Sequence, residues 1–177
     1  MIKRLFDFIC SFIGLILLSP VLVLTAIWIK IDSSGPILFI QKRVGLHGNT
    51  IGVYKFRTMV CDAESKGLKI TVGNDPRITV SGHFLRKYKL DELAQLFNVL
   101  NGTMSLVGPR PEVQEYIDAY PEEIKQKVLS VRPGITDYAS IEFKDENSLL
   151  EGAKDPHQTY INDILPIKQK YYVQYVD

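Results

Sequence analysis

Residues 5–29 form an apolar run of 25 residues that contains a single charged residue, Asp7. A helix needs about 20 consecutive apolar residues to cross the hydrocarbon core of a bilayer. This run constrains the fold more than any other feature, because a helix of this length and composition is expected to contact lipid. Three interpretations are open: a cleaved signal peptide, a single transmembrane helix, and a re-entrant helix that leaves the membrane on the face where it entered.

The signal-peptide interpretation is disfavoured, because the run is too long and no small-residue cleavage pattern follows it. Ser19-Pro20 lies near the middle of the run. Proline cannot donate a backbone hydrogen bond to the carbonyl of Ile16, so the helix should bend or break there, and serine can bond the freed carbonyl. Basic residues lie at both ends of the run, so neither end is clearly directed away from the cytoplasm. A single span and a re-entrant helix therefore both stay open.

The remaining sequence fits one globular domain. The chain has 177 residues, of which 46% are hydrophobic and 23% charged, enough to bury a core. Its net charge of +1 gives no general attraction to nucleic acid, and its two cysteines and three histidines show no metal-ligand spacing. We predict an α+β, mostly helical fold. A membrane helix at 1–32 precedes a small globular domain at 33–177 with a few short strands and interfacial helices.

Apolar periodicity and turn residues predict the elements of this domain. Short strands are predicted at 37–41 and 51–54, an extended segment at 135–143, and a polar loop at 67–76. Helices are predicted at 79–100, at 112–128 with an interruption at Pro121, and at 155–176 with a break near Pro166. Asn101-Gly102 should end the first of these helices.

Asp91-Glu92 is the first candidate for chemistry, because the pair lies on the amphipathic helix predicted at 79–100. Adjacent helical residues point about 100° apart, so one carboxylate can face a substrate while the other binds a metal ion. A carboxylate can attack phosphorus to form an acyl phosphate. Mg²⁺ usually takes one or two protein carboxylates and completes its shell with water and phosphate oxygens. A solvated helix surface is the alternative explanation for such a pair.

Basic residues in rigid surroundings supply candidates for phosphate binding. Arg110 lies between two prolines and Arg132 precedes a Pro-Gly turn, and a guanidinium held in this way suits bidentate recognition of phosphate. Lys55 and Arg57 alternate at a predicted strand and so share a face, and Arg86 precedes the acidic pair on its helix. Fixed cations and two carboxylates, without a histidine or cysteine site, indicate diphosphate chemistry rather than acyl transfer or redox chemistry.

These motifs also carry a resemblance to a known family. The stretches concerned are KRLFD at 3–7, SP at 19–20, GPILF at 35–39, QKRVG at 41–45, YKFRTM at 54–59, LDEL at 90–93, QLFNVL at 95–100, MSLVGPRP at 104–111 and VRPGIT at 131–136. In this order the sequence resembles the bacterial sugar transferases of the monotopic phosphoglycosyl transferase superfamily. Those polyprenyl-phosphate phosphoglycosyl transferases initiate the assembly of O-antigen, capsule, exopolysaccharide and glycoprotein glycans.

The resemblance implies a re-entrant membrane helix at 1–32, broken at Ser19-Pro20, and a cytoplasmic catalytic domain at 33–177. It places the protein on the cytoplasmic face of the bacterial inner membrane as a monotopic protein. It implies that Asp91 is the nucleophile and Glu92 a Mg²⁺ ligand in a ping-pong reaction. Asp91 would attack the β-phosphorus of a UDP-sugar and release UMP, and polyprenyl phosphate, expected to be undecaprenyl phosphate, would then accept the sugar phosphate. The implied partners are the UDP-sugar, polyprenyl phosphate, membrane lipids and downstream glycosyltransferases.

Two departures from the family pattern concern the sugar pocket. This chain has Asp137-Tyr138 where many members have Gly-Trp, and Gln169 where many have an aspartate. Two other functions stay open. One is a membrane-bound nucleotide-sugar diphosphatase that uses water as the acceptor, and the other is a membrane-anchored scaffold without turnover. The intact Asp91-Glu92 pair argues against the scaffold.

Overall fold

The computed structural model of the chain describes residues 2–63, 75–143, 152–153 and 155–177. The α-helices are α1 (Ile2–Asp32), α2 (Val80–Lys87), α3 (Leu96–Asn101), α4 (Gln114–Asp118), α5 (Glu122–Val128), α6 (Tyr138–Glu142), α7 (Pro156–Thr159) and α8 (Leu165–Val176). The strands are β1 (Leu38–Val44), β2 (Thr50–Phe56), β3 (Ser105–Val107) and β4 (Gly134–Thr136). The 3₁₀ helices are Leu46–Gly48 and Leu90–Gln95, and a short π-helix covers Tyr160–Ile164. The mostly helical α+β fold is confirmed.

The chain forms two compact units. The described residues of the first unit lie within 2–41, 52–63 and 75–102, and those of the second unit lie within 42–51 and 103–177. The first unit therefore contains α1, α2, α3 and most of β2, and the second contains β3, β4 and the remaining helices.

Helix α1 is long and apolar enough to cross a membrane, and 11% of its most apolar window is buried against the rest of the protein. Helical structure continues from Ile2 to Asp32 through Pro20, so the chain does not leave the helix at Ser19-Pro20, and the bend expected there stays a prediction. The Ser19 hydroxyl donates to the carbonyl of Ile16 at 2.8 Å. That bond gives a partner to the oxygen that proline leaves without one. The return of the helix to the same membrane face stays a prediction.

Both ends of α1 are hydrogen-bonded to the chain segment that contains α2 and α3. The Arg4 guanidinium donates to the carbonyls of Val99 (2.5 Å) and Leu100 (2.9 Å). These carbonyls lie in the last turn of α3, where intrahelical partners are missing and a cation is favoured. At the other end, the Asp32 carboxylate accepts hydrogen bonds from the Ser81 backbone N–H (2.9 Å) and hydroxyl (2.7 Å). The apolar helix is thus attached at both ends to one segment of the first unit.

Strands β1 and β2 pair as a two-stranded sheet, which confirms both predicted strands with longer bounds. The side chain of Asn98, in α3, forms hydrogen bonds to two backbone groups of β2. Its amide nitrogen donates to the carbonyl of Gly52 (2.7 Å), and its amide oxygen accepts the N–H of Tyr54 (2.8 Å). The end of β2 is thereby fixed against α3, and the next residue along the strand is Lys55.

The helix predicted at 79–100 is interrupted. Helix α2 ends at Lys87, Lys89 adopts a left-handed conformation (φ 56°), and a 3₁₀ turn then leads into α3. Gly102, with φ 88°, ends α3 as predicted. Because of the left-handed residue, Asp91 and Glu92 lie in the first turn of the 3₁₀ segment rather than inside a regular helix. The core of this unit contains Ile29, Phe56, Leu85 and Ala94.

In the second unit, β3 and β4 pair in parallel, with Ser105 opposite Gly134. A Cβ at Gly108 or at Gly134 would clash with the other loop's backbone, so two glycines allow this close approach. The Gly134 N–H also donates to the carbonyl of Pro109 at 2.9 Å. The two proline-containing loops that carry Arg110 and Arg132 therefore lie side by side.

The helices of the second unit follow the prediction in part. Helices α4 and α5 are separated at Pro121, as expected. Of the segment predicted as extended at 135–143, only residues 135 and 136 belong to a strand, β4. Asp137 instead caps α6 by accepting hydrogen bonds from the Ser140 N–H and hydroxyl, each at 2.8 Å. Pro166 lies in the first turn of α8, where no backbone donor is needed. The polar loop predicted at 67–76 lies mostly outside the described residues.

The core of the second unit is rich in tyrosine. Its buried members are Val44, Tyr116, Ile117, Tyr120, Val128, Ala139, Tyr160, Ile164, Leu165 and Tyr172. Each buried tyrosine brings a hydroxyl that normally needs a hydrogen-bond partner. The Tyr160 hydroxyl has a partner in Glu112, whereas the buried hydroxyls of Tyr120 and Tyr172 have none among the described residues.

Candidate active site

Asp91 is a buried carboxylate with an unsatisfied oxygen. Its residue is 9% exposed, and its Oδ1 has no hydrogen-bond partner. Burial raises the pKa of Asp91, the Lys55 charge opposes that rise, and the Glu92 charge adds to it. An unpartnered buried carboxylate oxygen is costly to fold, so its presence marks an atom that is available to a ligand.

Lys55 reaches the acidic pair from the end of β2. Its Nζ lies 3.3 Å from Oε1 of Glu92, and both side chains are largely enclosed, with 20% and 15% of their surface exposed. The ammonium therefore compensates part of the negative charge of the two adjacent carboxylates. The structure thus brings the predicted cation Lys55 to the predicted catalytic pair.

Arg86 approaches Asp91 from α2. Its Nε donates a hydrogen bond to Oγ1 of Thr58 at 2.9 Å. Burial lowers the pKa of Arg86 and the nearby Asp91 charge raises it, but an arginine side chain stays protonated in proteins. Arg86 is the second predicted cation that the structure brings to Asp91. Thr58 is a residue of this site that the sequence analysis did not single out.

Arg57 has different surroundings from Lys55, although the two are close in sequence. Its Nη2 donates to the carbonyl of Ser33 (2.8 Å), and its Nη1 donates to the carbonyl of Ser34 and to Sγ of Cys61 (3.3 Å). The residue is 5% exposed. Its guanidinium therefore stabilises the turn that follows α1, and this structural role accounts for the burial of Arg57. Its phosphate contact stays a prediction.

Arg110 and Arg132 belong to the second unit, on the paired loops beside β3 and β4. Arg132 is exposed and Arg110 is partly buried. Burial raises the pKa of Tyr172, and the Arg110 charge acts in the opposite direction, so this guanidinium lies near the tyrosine-rich core. The phosphate-binding role of both arginines stays a prediction.

A buried acidic network in the second unit was missed from sequence. Glu112, 4% exposed, accepts a hydrogen bond from the Tyr160 hydroxyl at 2.6 Å and lies 3.6 Å from the Arg43 guanidinium. Lys168 donates to the same tyrosine hydroxyl at 3.2 Å. Because these residues are far apart in the chain, no local motif signals their contact. The network attaches the loop after Arg110 to the C-terminal helices.

Each of the two departures from the family pattern includes one buried residue. Asp137 is 4% exposed and its carboxylate caps α6, while Gln169 of α8 is 6% exposed. Tyr138, which follows Asp137, is 58% exposed. The Asp137 change is therefore explained by the local structure of α6. Nothing in the structure explains Gln169.

Asp91 and Glu92 fit a divalent ion that is shared with a ligand. Within the described ranges, no three or more histidine, cysteine, aspartate or glutamate side chains cluster as a metal site. Mg²⁺ does not require such a cluster, because it usually takes one or two protein carboxylates and fills the other positions with water and phosphate. The unpartnered Oδ1 of Asp91 beside Glu92 meets that condition.

Comparison with known proteins gives consistent matches. A family model described as bacterial sugar transferase matches residues 1–171. The chain is 42% identical over 142 residues to the UDP-N-acetylgalactosamine-undecaprenyl-phosphate N-acetylgalactosaminephosphotransferase of Aeromonas hydrophila, covering 79% of this chain and 34% of that protein. It is 42% identical over 154 residues to the UDP-glucose:undecaprenyl-phosphate glucose-1-phosphate transferase of Escherichia coli (strain K12), covering 85% and 33%.

The relatives differ in length. The chain spans about a third of the two proteins above. It spans 68% of the uncharacterized sugar transferase EpsL of Bacillus subtilis (strain 168), to which it is 40% identical over 140 residues, or 79% of this chain. All of the described residues that surround Asp91 lie inside the region that the family model matches.

Proposed function

The chain belongs to the bacterial sugar transferase family, and from this premise we propose that it transfers a sugar-1-phosphate from a UDP-sugar to polyprenyl phosphate. The observation that carries the proposal is the Asp91 carboxylate, which is buried beside Lys55 and Glu92 with Oδ1 unpartnered. The names of relatives from two organisms, given above, each pair a UDP-sugar with undecaprenyl phosphate. We therefore propose undecaprenyl phosphate as the acceptor here.

The reaction is proposed to proceed in two displacements. In the first, an ionised Asp91 oxygen forms a bond to the β-phosphorus of the UDP-sugar, and the bond from that phosphorus to UMP breaks. In the second, an oxygen of polyprenyl phosphate bonds to the same phosphorus, and the bond to Asp91 breaks. Lys55 and Arg86 offset the charge of the diphosphate and keep Asp91 ionised, since both cations act against the rise of its pKa.

The proposed cofactor is Mg²⁺, held by Glu92 beside Asp91. When bound, such an ion offsets charge on the diphosphate and on the departing UMP. Glu92 is the better candidate for the protein ligand, because Asp91 has to present an oxygen to phosphorus. Its ion pair with Lys55 holds the carboxylate close to the site before any ion binds.

A re-entrant placement of α1 in the membrane is part of the proposal. Arg4 and Asp32, at opposite ends of this helix, both bond to the segment that contains α2 and α3. If α1 crossed a bilayer, that segment would have to cross it too, with the exposed Lys87 and Lys89 in hydrocarbon. A charged side chain at the bilayer centre costs about 3 kcal/mol or more. We propose that both ends of α1 lie on the cytoplasmic face of the bacterial inner membrane.

The test is release of UMP from a panel of UDP-sugars by the purified protein with Mg²⁺, with and without polyprenyl phosphate. We expect one donor to yield a sugar linked to the lipid through a diphosphate. Free sugar phosphate with water as the only acceptor would instead identify a diphosphatase. No product from any donor, with a folded protein, would identify a scaffold.

A further inference from the structure

We propose that Thr58 is a positioning residue whose hydroxyl orients the Arg86 guanidinium toward the phosphate that reacts at Asp91. This inference rests on the proposed transferase function and assigns a task to a side chain outside the acidic pair and its cations. Thr58 is 7% exposed, so its hydroxyl is enclosed rather than solvated. Its Oγ1 accepts the Nε–H of Arg86 at 2.9 Å.

The bond to Nε decides how the guanidinium can be used. A guanidinium has five N–H donors in a planar fork, of which four are on the two terminal nitrogens. Among the described residues, the hydrogen bonds of Arg86 are limited to the one at Nε. The bond at Nε sets the plane of the guanidinium and leaves the two terminal nitrogens for an end-on bidentate contact with a phosphate. Arg86 is thus held at its inner nitrogen with its outer nitrogens uncommitted.

The backbone holds Thr58 rigidly under α2. The Thr58 carbonyl accepts the N–H of Thr79, the residue that caps α2, at 3.0 Å. The helix then packs directly on Thr58 at Gly82, where a Cβ would clash with the Thr58 carbonyl oxygen. Gly82 and Arg86 are four residues apart, so they lie on the same face of α2. The side chain of Arg86 therefore extends over Thr58 because the helix backbone rests against that residue.

The end of α1 supports the same arrangement from the other side. Arg57, directly before Thr58, donates to the backbone carbonyl of Ser33 (2.8 Å) and also to that of Ser34. Ser81, in the first turn of α2, is bonded to Asp32. Both partners of the Thr58–Arg86 contact are therefore fixed to one turn at the end of the apolar helix. The Thr58 hydroxyl is therefore a hydrogen-bond acceptor in a fixed position for the Arg86 guanidinium.

The first test compares Thr58→Val with Thr58→Ser. Valine keeps the shape of the side chain and removes the acceptor, while serine keeps the hydroxyl. Misplacing a group that contacts the reacting atoms can cost about 100-fold. We expect Thr58→Val to lower kcat for UMP release by 10- to 100-fold on this scale, and Thr58→Ser to restore most of the rate. The KM for the donor should change less than kcat, because the orientation matters most when charge develops on the phosphate.

A double-mutant cycle separates positioning from simple support of the fold. Arg86→Lys removes the Nε donor, so adding Thr58→Val to Arg86→Lys should cause little further loss. Exchange of the Arg86 Nε–H with solvent, followed by NMR, reads the bond without any turnover, and Thr58→Val should accelerate it. If Thr58→Val is too unstable to purify, Thr58→Ala provides the same removal of the hydroxyl.

The possible failures are distinguishable. A wild-type protein that releases no UMP from any UDP-sugar contradicts the proposed function and this role with it. An active wild type with a Thr58→Val variant of equal kcat contradicts the role of Thr58 alone. Losses from Thr58→Val and Arg86→Lys that simply multiply, or an Nε–H whose exchange is the same in both proteins, contradict it as well.

Discussion

The two units bury a carboxylate in opposite ways. Asp91 in the first unit and Glu112 in the second are 9% and 4% exposed. Glu112 accepts a hydrogen bond from Tyr160 and pairs with Arg43, whereas Oδ1 of Asp91 has no partner. A satisfied buried acid holds structure together, and an unsatisfied one costs stability that only a ligand can return. The contrast is the one expected between a carboxylate that supports the fold and a carboxylate that is proposed to react.

The largest expected effect is at Asp91. Asp91→Asn removes the proposed nucleophile and should lower UMP release by roughly 10⁴-fold, the scale seen when one member of a catalytic unit is lost. Because burial raises the pKa of Asp91, its ionised form destabilises the fold, and this cost grows as the pH rises above the ordinary aspartate value of about 3.9. The Asp91→Asn variant should therefore have an unfolding temperature equal to that of the wild type or higher. The increase in unfolding temperature should be larger at pH 7 than at pH 4.

Glu112 should show the reverse pattern. Glu112→Ala leaves Arg43 and the Tyr160 hydroxyl without their buried partner, and breaking such a pair costs about 3 kcal/mol of unfolding free energy. Denaturant titration in detergent measures this loss. A Glu112→Ala protein as stable as wild type, or an Asp91→Asn protein that is much less stable, would remove the distinction between the two carboxylates.

Tyr160→Phe tests the same network more gently. It removes one hydrogen bond to a charged acceptor, which is worth about 2 kcal/mol. Tyr175→Phe is the matched control, because its hydroxyl donates to the carbonyl of Val107 at 2.7 Å in an exposed position. That change should cost less than about 1 kcal/mol. Equal losses from both substitutions would show that burial of the network contributes nothing.

The smallest effect is a displacement of the pH profile. The Lys55 charge is the strongest influence that opposes the raised pKa of Asp91, so Lys55→Met should move the acidic limb of kcat/KM to higher pH. Lys87→Met, an exposed lysine of α2, serves as the control. An acidic limb that moves equally in both variants, or not at all, would separate Lys55 from the ionisation of Asp91.

Local patterns were enough to predict much of the first unit. Alternating apolar residues and a Gly-containing turn gave the β1–β2 hairpin, and Gly102 gave the end of α3. Periodicity did not reveal the left-handed residue Lys89, because the apolar face continues on both sides of it. Asp137 could have indicated the start of α6, because an aspartate often caps a helix by accepting the N–H three residues later. The segment 135–143 was predicted as extended instead, because of its β-like composition.

Long-range contacts account for what the sequence could not predict at the site. The nearness of Lys55 to Glu92 and of Arg86 to Thr58 joins positions 37 and 28 residues apart. Arg57 shows the converse, because its alternation with Lys55 predicted a shared face while its guanidinium contacts the turn after α1. Residue types predicted cations near the acidic pair, and the structure places Lys55 beside Glu92, whereas packing commits Arg57 to backbone carbonyls.

The contact between Arg4 and the end of α3 has a consequence for biosynthesis. Arg4 and Val99 are 95 residues apart in sequence. At a synthesis rate of about 5–20 residues per second, some 5–20 s pass between their appearance at the ribosome. During that interval the part of the first unit that α1 contacts has not been made, and we expect lipid to be the first partner of the apolar helix. With the membrane placement proposed above, α1 would insert before the first unit closes and before the residues around Asp91 are synthesised.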